Sequence, residues 1–124
     1  MLKHQISSNE QNLKRENLEK IEKISHFDYG WNGNGGLKFT REAIDTFRRI
    51  IDGLNRQPKI APTGRNSLFM QYKNNDGGKL VFEVSVNKTE QIYMPNGEYK
   101  ADVQIYTDNI SNKINRAVEE FYQS

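Results

Sequence analysis

The chain contains no cysteine, so a disulfide framework, a thiol nucleophile and a thiolate metal site are all excluded. Histidine is scarce: His4 and His26 lie in different segments and form neither an HxxxH nor an HExxH pair, so no metal site is expected. No stretch approaches the ~20 apolar residues that cross a bilayer. The start, Met1-Leu2-Lys3-His4-Gln5, lacks the apolar run of a secretory signal, which makes the cytoplasm the expected location, with no membrane partner. An excess of one charge is also missing: 18 basic residues face 16 acidic ones, for a net charge of +2. That balance provides neither a global field for nucleic acid nor an acidic face that could mimic it.

The parts of a phosphate-binding loop or a nucleophilic site are absent as well. Gly33-Asn34-Gly35-Gly36 precedes one helical pattern but follows another, and no Gly-Lys-Ser/Thr comes after it, so a phosphate-binding loop fails on context. Ser67 follows Arg65-Asn66 rather than a nucleophile elbow, and no histidine stands ready to serve it. A carboxylate pair such as Asp28 and Glu83 is something any soluble domain offers. The expectation is a protein without catalytic residues, metal or cofactor.

What is present is one domain, residues 1–124, with a lean core: 35% of residues are hydrophobic and mean hydropathy is −0.88. A chain of this length buries roughly two-thirds of the surface it exposes when unfolded, which suffices without staples. Residues 1–8 are expected to fray. Ser7-x-x-Glu10 and Ser8-x-x-Gln11 each fit a capping box, and Leu13, Leu18, Ile21 and Ile24 give the first helix its apolar stripe. Its other face carries four Glu and four Lys or Arg between Glu10 and Lys23 and reads as solvated. Thr40 caps a second helix whose stripe is Ala43, Ile44, Phe47, Ile51 and Leu54, with Gln57-Pro58 as its stop. Lys59-Ile60-Ala61-Pro62 reads as extended chain and Thr63-Gly64-Arg65-Asn66 as a turn.

The period then changes to two. Leu68, Met70 and Tyr72 alternate, as do Leu80, Phe82, Val84 and Val86, across an Asp76-Gly77 hairpin turn. Gln91–Met94 and Lys100–Tyr106 follow as strands around Pro95-Asn96-Gly97. Thr107 or Asp108 caps a last helix with Ile110, Ile114, Ala117, Val118 and Phe121 on one face. The pattern predicts an α+β fold: an antiparallel sheet of about four strands, with two N-terminal helices and one C-terminal helix packed against one side.

Two features point outward. The stretch Phe27 to Gly36 holds the only tryptophan, Tyr29, and four of the nine glycines. Such a loop is either a fold element, with Trp31 and Tyr29 plugging the core, or a recognition surface. From Lys38 to Arg65 seven basic residues face three acidic ones, and Arg41, Arg48, Arg49 and Arg56 are expected on the solvent side of the second helix. The candidate partner-binding residues are therefore Tyr29, Trp31, Asn32 and Arg65, with Arg48, Arg49 and Arg56 as electrostatic helpers. The expected partner is a protein; nucleic acid held on the basic helix is the alternative. Oligomeric state is open, because a free sheet edge is compatible with monomer or dimer.

Two blocks taken together carry a resemblance. Trp31-Asn32-Gly33-Asn34-Gly35-Gly36-Leu37-Lys38-Phe39-Thr40 resembles the W-(N/D)-G-x-G segment of a widespread group of small bacterial proteins. Gln57-Pro58-Lys59-Ile60-Ala61-Pro62-Thr63 with Ser67 resembles that group's Q-P-x-I-x-P-T block, and Leu80-Val81-Phe82-Glu83-Val84 matches its following strand. The resemblance spans roughly residues 27–86. Phe69 and Gln71 depart from the Gln and Glu that the group often carries there. What it implies is an accessory protein of mobile elements, antitoxin-like or anti-CRISPR-like, that neutralises a toxin, nuclease or defence protein.

Overall fold

The computed structural model describes residues 7–98 and 103–123. Three helices and five strands follow in the order α1 (Ser8–Ile24), α2 (Arg41–Asp52), β1 (Lys59–Pro62), β2 (Leu68–Lys73), β3 (Lys79–Val84), β4 (Thr89–Met94), β5 (Val103–Tyr106) and α3 (Ile110–Gln123). The strands form one antiparallel meander in sequence order, so each connection joins neighbours. The fold is α+β, as the change of hydrophobic period predicts.

The sheet has five strands rather than four. Lys59–Pro62, expected as mere extended chain, pairs with β2, placing Ile60 opposite Met70. Only Ile60 of its four residues is buried, so no alternation announces it, and Pro62 suits an edge strand that needs no further donor. His4 and the residues before Val103 in the last expected strand lie outside the described residues. Of the residues expected to fray, Ser7 and Ser8 belong to the start of α1: the Ser7 hydroxyl accepts from Glu10 N at 3.1 Å and Ser8 opens the helix; residues 1–6 lie outside the described residues.

One face of the sheet makes the core. Leu68, Met70 and Tyr72 of β2 and Leu80, Phe82 and Val84 of β3 are buried against Ile21, Phe47, Ile51, Leu54, Ile114 and Val118 of the helical side. α2 lies between the other two helices and is stitched to both. Buried Asn17 of α1 donates to Gln57 Oε1 and to Pro58 O, each at 3.0 Å, while Gln57 Nε2 donates to Ile51 O at 3.0 Å. α2 ends at Asp52 with Gly53 as its cap, before the expected stop. The reason is α3: Asn115 donates to Gly53 O at 3.0 Å and accepts from Asn55 N at 2.9 Å, which turns the chain there. Neither Thr107 nor Asp108 caps α3. Its first turn closes with Lys113 N donating to Asn109 O, and Asp108 instead binds the Lys113 ammonium, which holds its carboxyl below the usual range.

Tyr72 marks the centre of this side. Its hydroxyl donates to Arg56 O at 2.6 Å, and burial, followed by the nearness of Tyr122 and Glu10, pushes its pKa far above the ordinary phenol value. The unfolded chain releases that proton near pH 10. Native stability is therefore complete below about pH 10 and falls as pH rises above it, by up to about 1.4 kcal/mol per pH unit. Tyr106, raised chiefly by burial, acts in the same direction. Urea unfolding between about pH 9 and about pH 11 should show this decline, and Tyr72→Phe should remove most of it. An undiminished slope in the variant would refute the assignment.

Candidate recognition surface

The glycine-rich loop is built around Asn32. Its Oδ1 accepts from Asn34 N at 2.9 Å and from Gly36 N at 2.8 Å, closing a turn on itself. Gly35 takes φ +77°, which an L side chain adopts only with strain. At Gly36 a Cβ would stand 2.8 Å from the Asn32 side chain and 2.9 Å from Trp31 Nε1, so only glycine allows that approach. The β2–β3 connection repeats the device: Asn74 Oδ1 accepts from Asp76 N at 3.0 Å and Gly78 N at 2.8 Å, with Gly77 at φ +81°. Both loops read Asn-x-(Asn/Asp)-Gly-Gly, a repetition legible in the sequence that assigns Asn32 a local structural role.

Trp31 anchors the loop. Its ring is half-buried, with centroids 5.0 Å from Phe27 and 6.1 Å from Phe39, and Phe39 meets Phe47 edge-on at 5.9 Å. The indole N–H donates to Leu37 O at 3.0 Å. Trp31 plugs the end of the core, and Tyr29 does not: Tyr29 is 72% exposed and Leu37 is 47% exposed. Leu37 went unnoticed in the sequence because an isolated leucine beside glycines carries no periodicity.

The turn at residues 63–67 backs this loop. Leu37 N donates to Gly64 O at 3.0 Å. Asn66, at φ +60°, accepts from Thr40 N at 3.0 Å and donates to Thr40 Oγ1 at 3.2 Å, tying the turn to the N-terminus of α2. Glu83 Oε2 takes Ser67 Oγ at 2.6 Å and Arg65 at 3.0 and 3.2 Å, while Ser67 Oγ meets Thr63 Oγ1 at 2.6 Å. Ser67 is buried within this network and is held as a brace. Arg65 remains largely exposed beside it, 5.8 Å from the Phe69 ring.

The other arginines do not share one face. Arg48 turns to Glu22 of α1, whose carboxylate also meets His26 at 3.1 Å. Arg56 lies beyond α2, with its guanidinium 3.4 Å from the centroid of the Tyr122 ring in α3. Arg41 and Arg49 are exposed. The expectation of a basic stripe along the solvent side of α2 is corrected here, because the helices on both sides take up Arg48 and Arg56.

The sheet face away from the helices is uncovered by them. Register places Phe69, Glu83, Glu90 and Ile105 in one row, Lys59, Gln71, Val81, Ile92 and Val103 in the next, and Lys73, Lys79 and Met94 in a third. None of its apolar side chains packs against the core cluster, and Ile105 is 58% exposed. Glu90 pairs with Lys88 at 2.9 Å, and that hydrogen bond raises the Lys88 pKa. Among the described residues no three of His, Asp and Glu gather as a metal site would require, and no helix is long and apolar enough to cross a membrane. Compared with protein-family models, with curated proteins and with solved structures, the chain finds no match.

Proposed function

We propose that the protein is a non-enzymatic binding module, a stoichiometric inhibitor or neutraliser of another protein, and that Tyr29 and Leu37 lead its contact surface, with Arg65 on the adjoining turn. One observation carries this reading: two large side chains stand exposed on a loop whose turns are pinned by Asn32, Trp31 and Gly64. A loop already held in one shape loses little entropy on docking, and aromatic or aliphatic anchors flanked by an arginine suit the centre of an interface. The resemblance to antitoxin-like and anti-CRISPR-like accessory proteins gives the partner class: a toxin, a nuclease or a defence protein in a bacterial cytoplasm.

The test is capture of partners from host lysate on the tagged protein, with and without nuclease, read by mass spectrometry. The expected result is a dominant nuclease-resistant protein whose recovery falls at least about tenfold in a Tyr29→Ala, Leu37→Ala double variant. That variant should unfold within about 0.5 kcal/mol of wild type, since neither side chain is core. Recovery that vanishes with nuclease, and binding to RNA or DNA that weakens steeply with salt, would replace this reading with the nucleic-acid one.

A further inference from the structure

The uncovered sheet face is a second surface, distinct from the loop. Its middle is apolar: Val81 and Ile92 are paired across β3 and β4, Val103 continues their row on β5, and Phe69, Met94 and Ile105 flank it. Its ends differ in charge. At one end stand Glu83 and Glu90, with Arg65 and Lys88 alongside; at the other stand Lys73 and Lys79, which have no acidic partner among the described residues.

We propose that this face joins two copies of the chain, sheet against sheet, about a two-fold axis running across the strands. The choice of axis follows from the rows. A two-fold across the strands lays each strand over its own copy in reverse, so Val81, Ile92 and Val103 meet themselves and Lys79 meets the Glu83–Glu90 end of the partner. A two-fold along the strands would set Lys79 on Lys79, Glu83 on Glu83, and Lys59 on Val103. The first matches apolar to apolar and cation to anion; the second opposes like charges. Of the charged residues of the face only Lys59 meets its own copy in the favoured arrangement, and it lies on the outermost strand, where water screens it.

Size sets the strength. Three strands of six residues and two of four, about 4.8 Å apart and rising about 3.3 Å per residue, span about 410 Å². A pair would bury about 800 Å² in total, less than a stable interface needs, so the dimer is weak and concentration-dependent. The two exposed edges are unequal: β1 carries Lys59 and Pro62, while β5 is Val-Gln-Ile-Tyr with neither charge nor proline. An edge-paired dimer through β5 is therefore the competing geometry, and the test separates the two.

Sedimentation equilibrium of the full chain from about 5 to about 500 μM should show passage from monomer to dimer. Val81→Lys and Ile92→Lys, each on the face and away from either edge, should weaken dimerisation at least about tenfold, with circular dichroism confirming that both variants fold. Lys79→Glu should weaken it too, because across this axis that position meets Glu83 of the second copy. Wild type that stays monomeric over the whole range overturns the proposal. So does a dimer that survives both face lysines, which would be edge-paired, or one that Lys79→Glu leaves unchanged.

Discussion

Phe82→Ala should lower the thermal midpoint by about 12–20 °C. Phe82 is wholly buried at the middle of β3, opposite Met70 of β2, and its ring meets Tyr72 edge-on with centroids 6.3 Å apart. Truncating a buried phenylalanine costs about 3–5 kcal/mol, part lost transfer energy and part cavity. The cavity will not close easily here, because β2 and β4 hold the backbone of β3 from both sides. For a chain of this size, about 1 kcal/mol corresponds to about 4 °C. The neighbour Val81 supplies the contrast. It lies one residue away on the same strand but on the uncovered face, so Val81→Ala should cost under about 1 kcal/mol when measured at a protein concentration too low for self-association. Thermal unfolding followed by circular dichroism reads both. Equal costs would mean that both faces of the sheet are packed, and the one-sided architecture would be wrong.

That contrast is also the clearest example of what the sequence discloses. Alternation in β2 and β3 tells which side chains are in, because a strand's period is two and only one face is covered. Thr40 announces α2 because a hydroxyl at that position satisfies an otherwise orphaned amide, here Ala43 N at 3.1 Å. β1 escapes notice because it is short, buries only Ile60, and is a strand by virtue of its pairing with β2. Asn17 escapes because it reads as one more polar residue on a charged face; its burial depends on Gln57 and Pro58, forty residues along the chain. The arginines show the same limit. Nothing local to α2 tells that Arg48 finds Glu22 or that Arg56 stacks on Tyr122, since those partners belong to helices brought alongside by the core. Tyr29 and Trp31 are equally conspicuous in the sequence and opposite in the fold. Both are aromatic residues among glycines, and the nearby Phe27 and Phe39 decide which one turns inward.

This difference between two neighbouring aromatics leads to the second large effect. Trp31→Ala should destabilise the protein by about 2–4 kcal/mol, somewhat less than a fully buried aromatic because the ring is only half-covered. It removes the stack between Phe27 and Phe39 and leaves Leu37 O without its donor. Tyr29→Ala, two residues away, should stay within about 0.5 kcal/mol of wild type. Urea unfolding measures both, and the single tryptophan makes wild-type fluorescence a direct reporter of the loop. The consequence reaches recognition. With Trp31 gone, Asn32 still closes its own turn, but the loop loses its anchor to the core, and amide exchange at Leu37, which donates to Gly64 O, should quicken even under conditions where the domain stays folded. Partner binding would then weaken without loss of a contacting side chain, because the ordering now done in advance would have to be done on docking. If Trp31→Ala leaves stability unchanged while abolishing capture of the partner, the indole itself is a contact. The rigid platform would then be carried by Asn32 and the Gly64 turn alone.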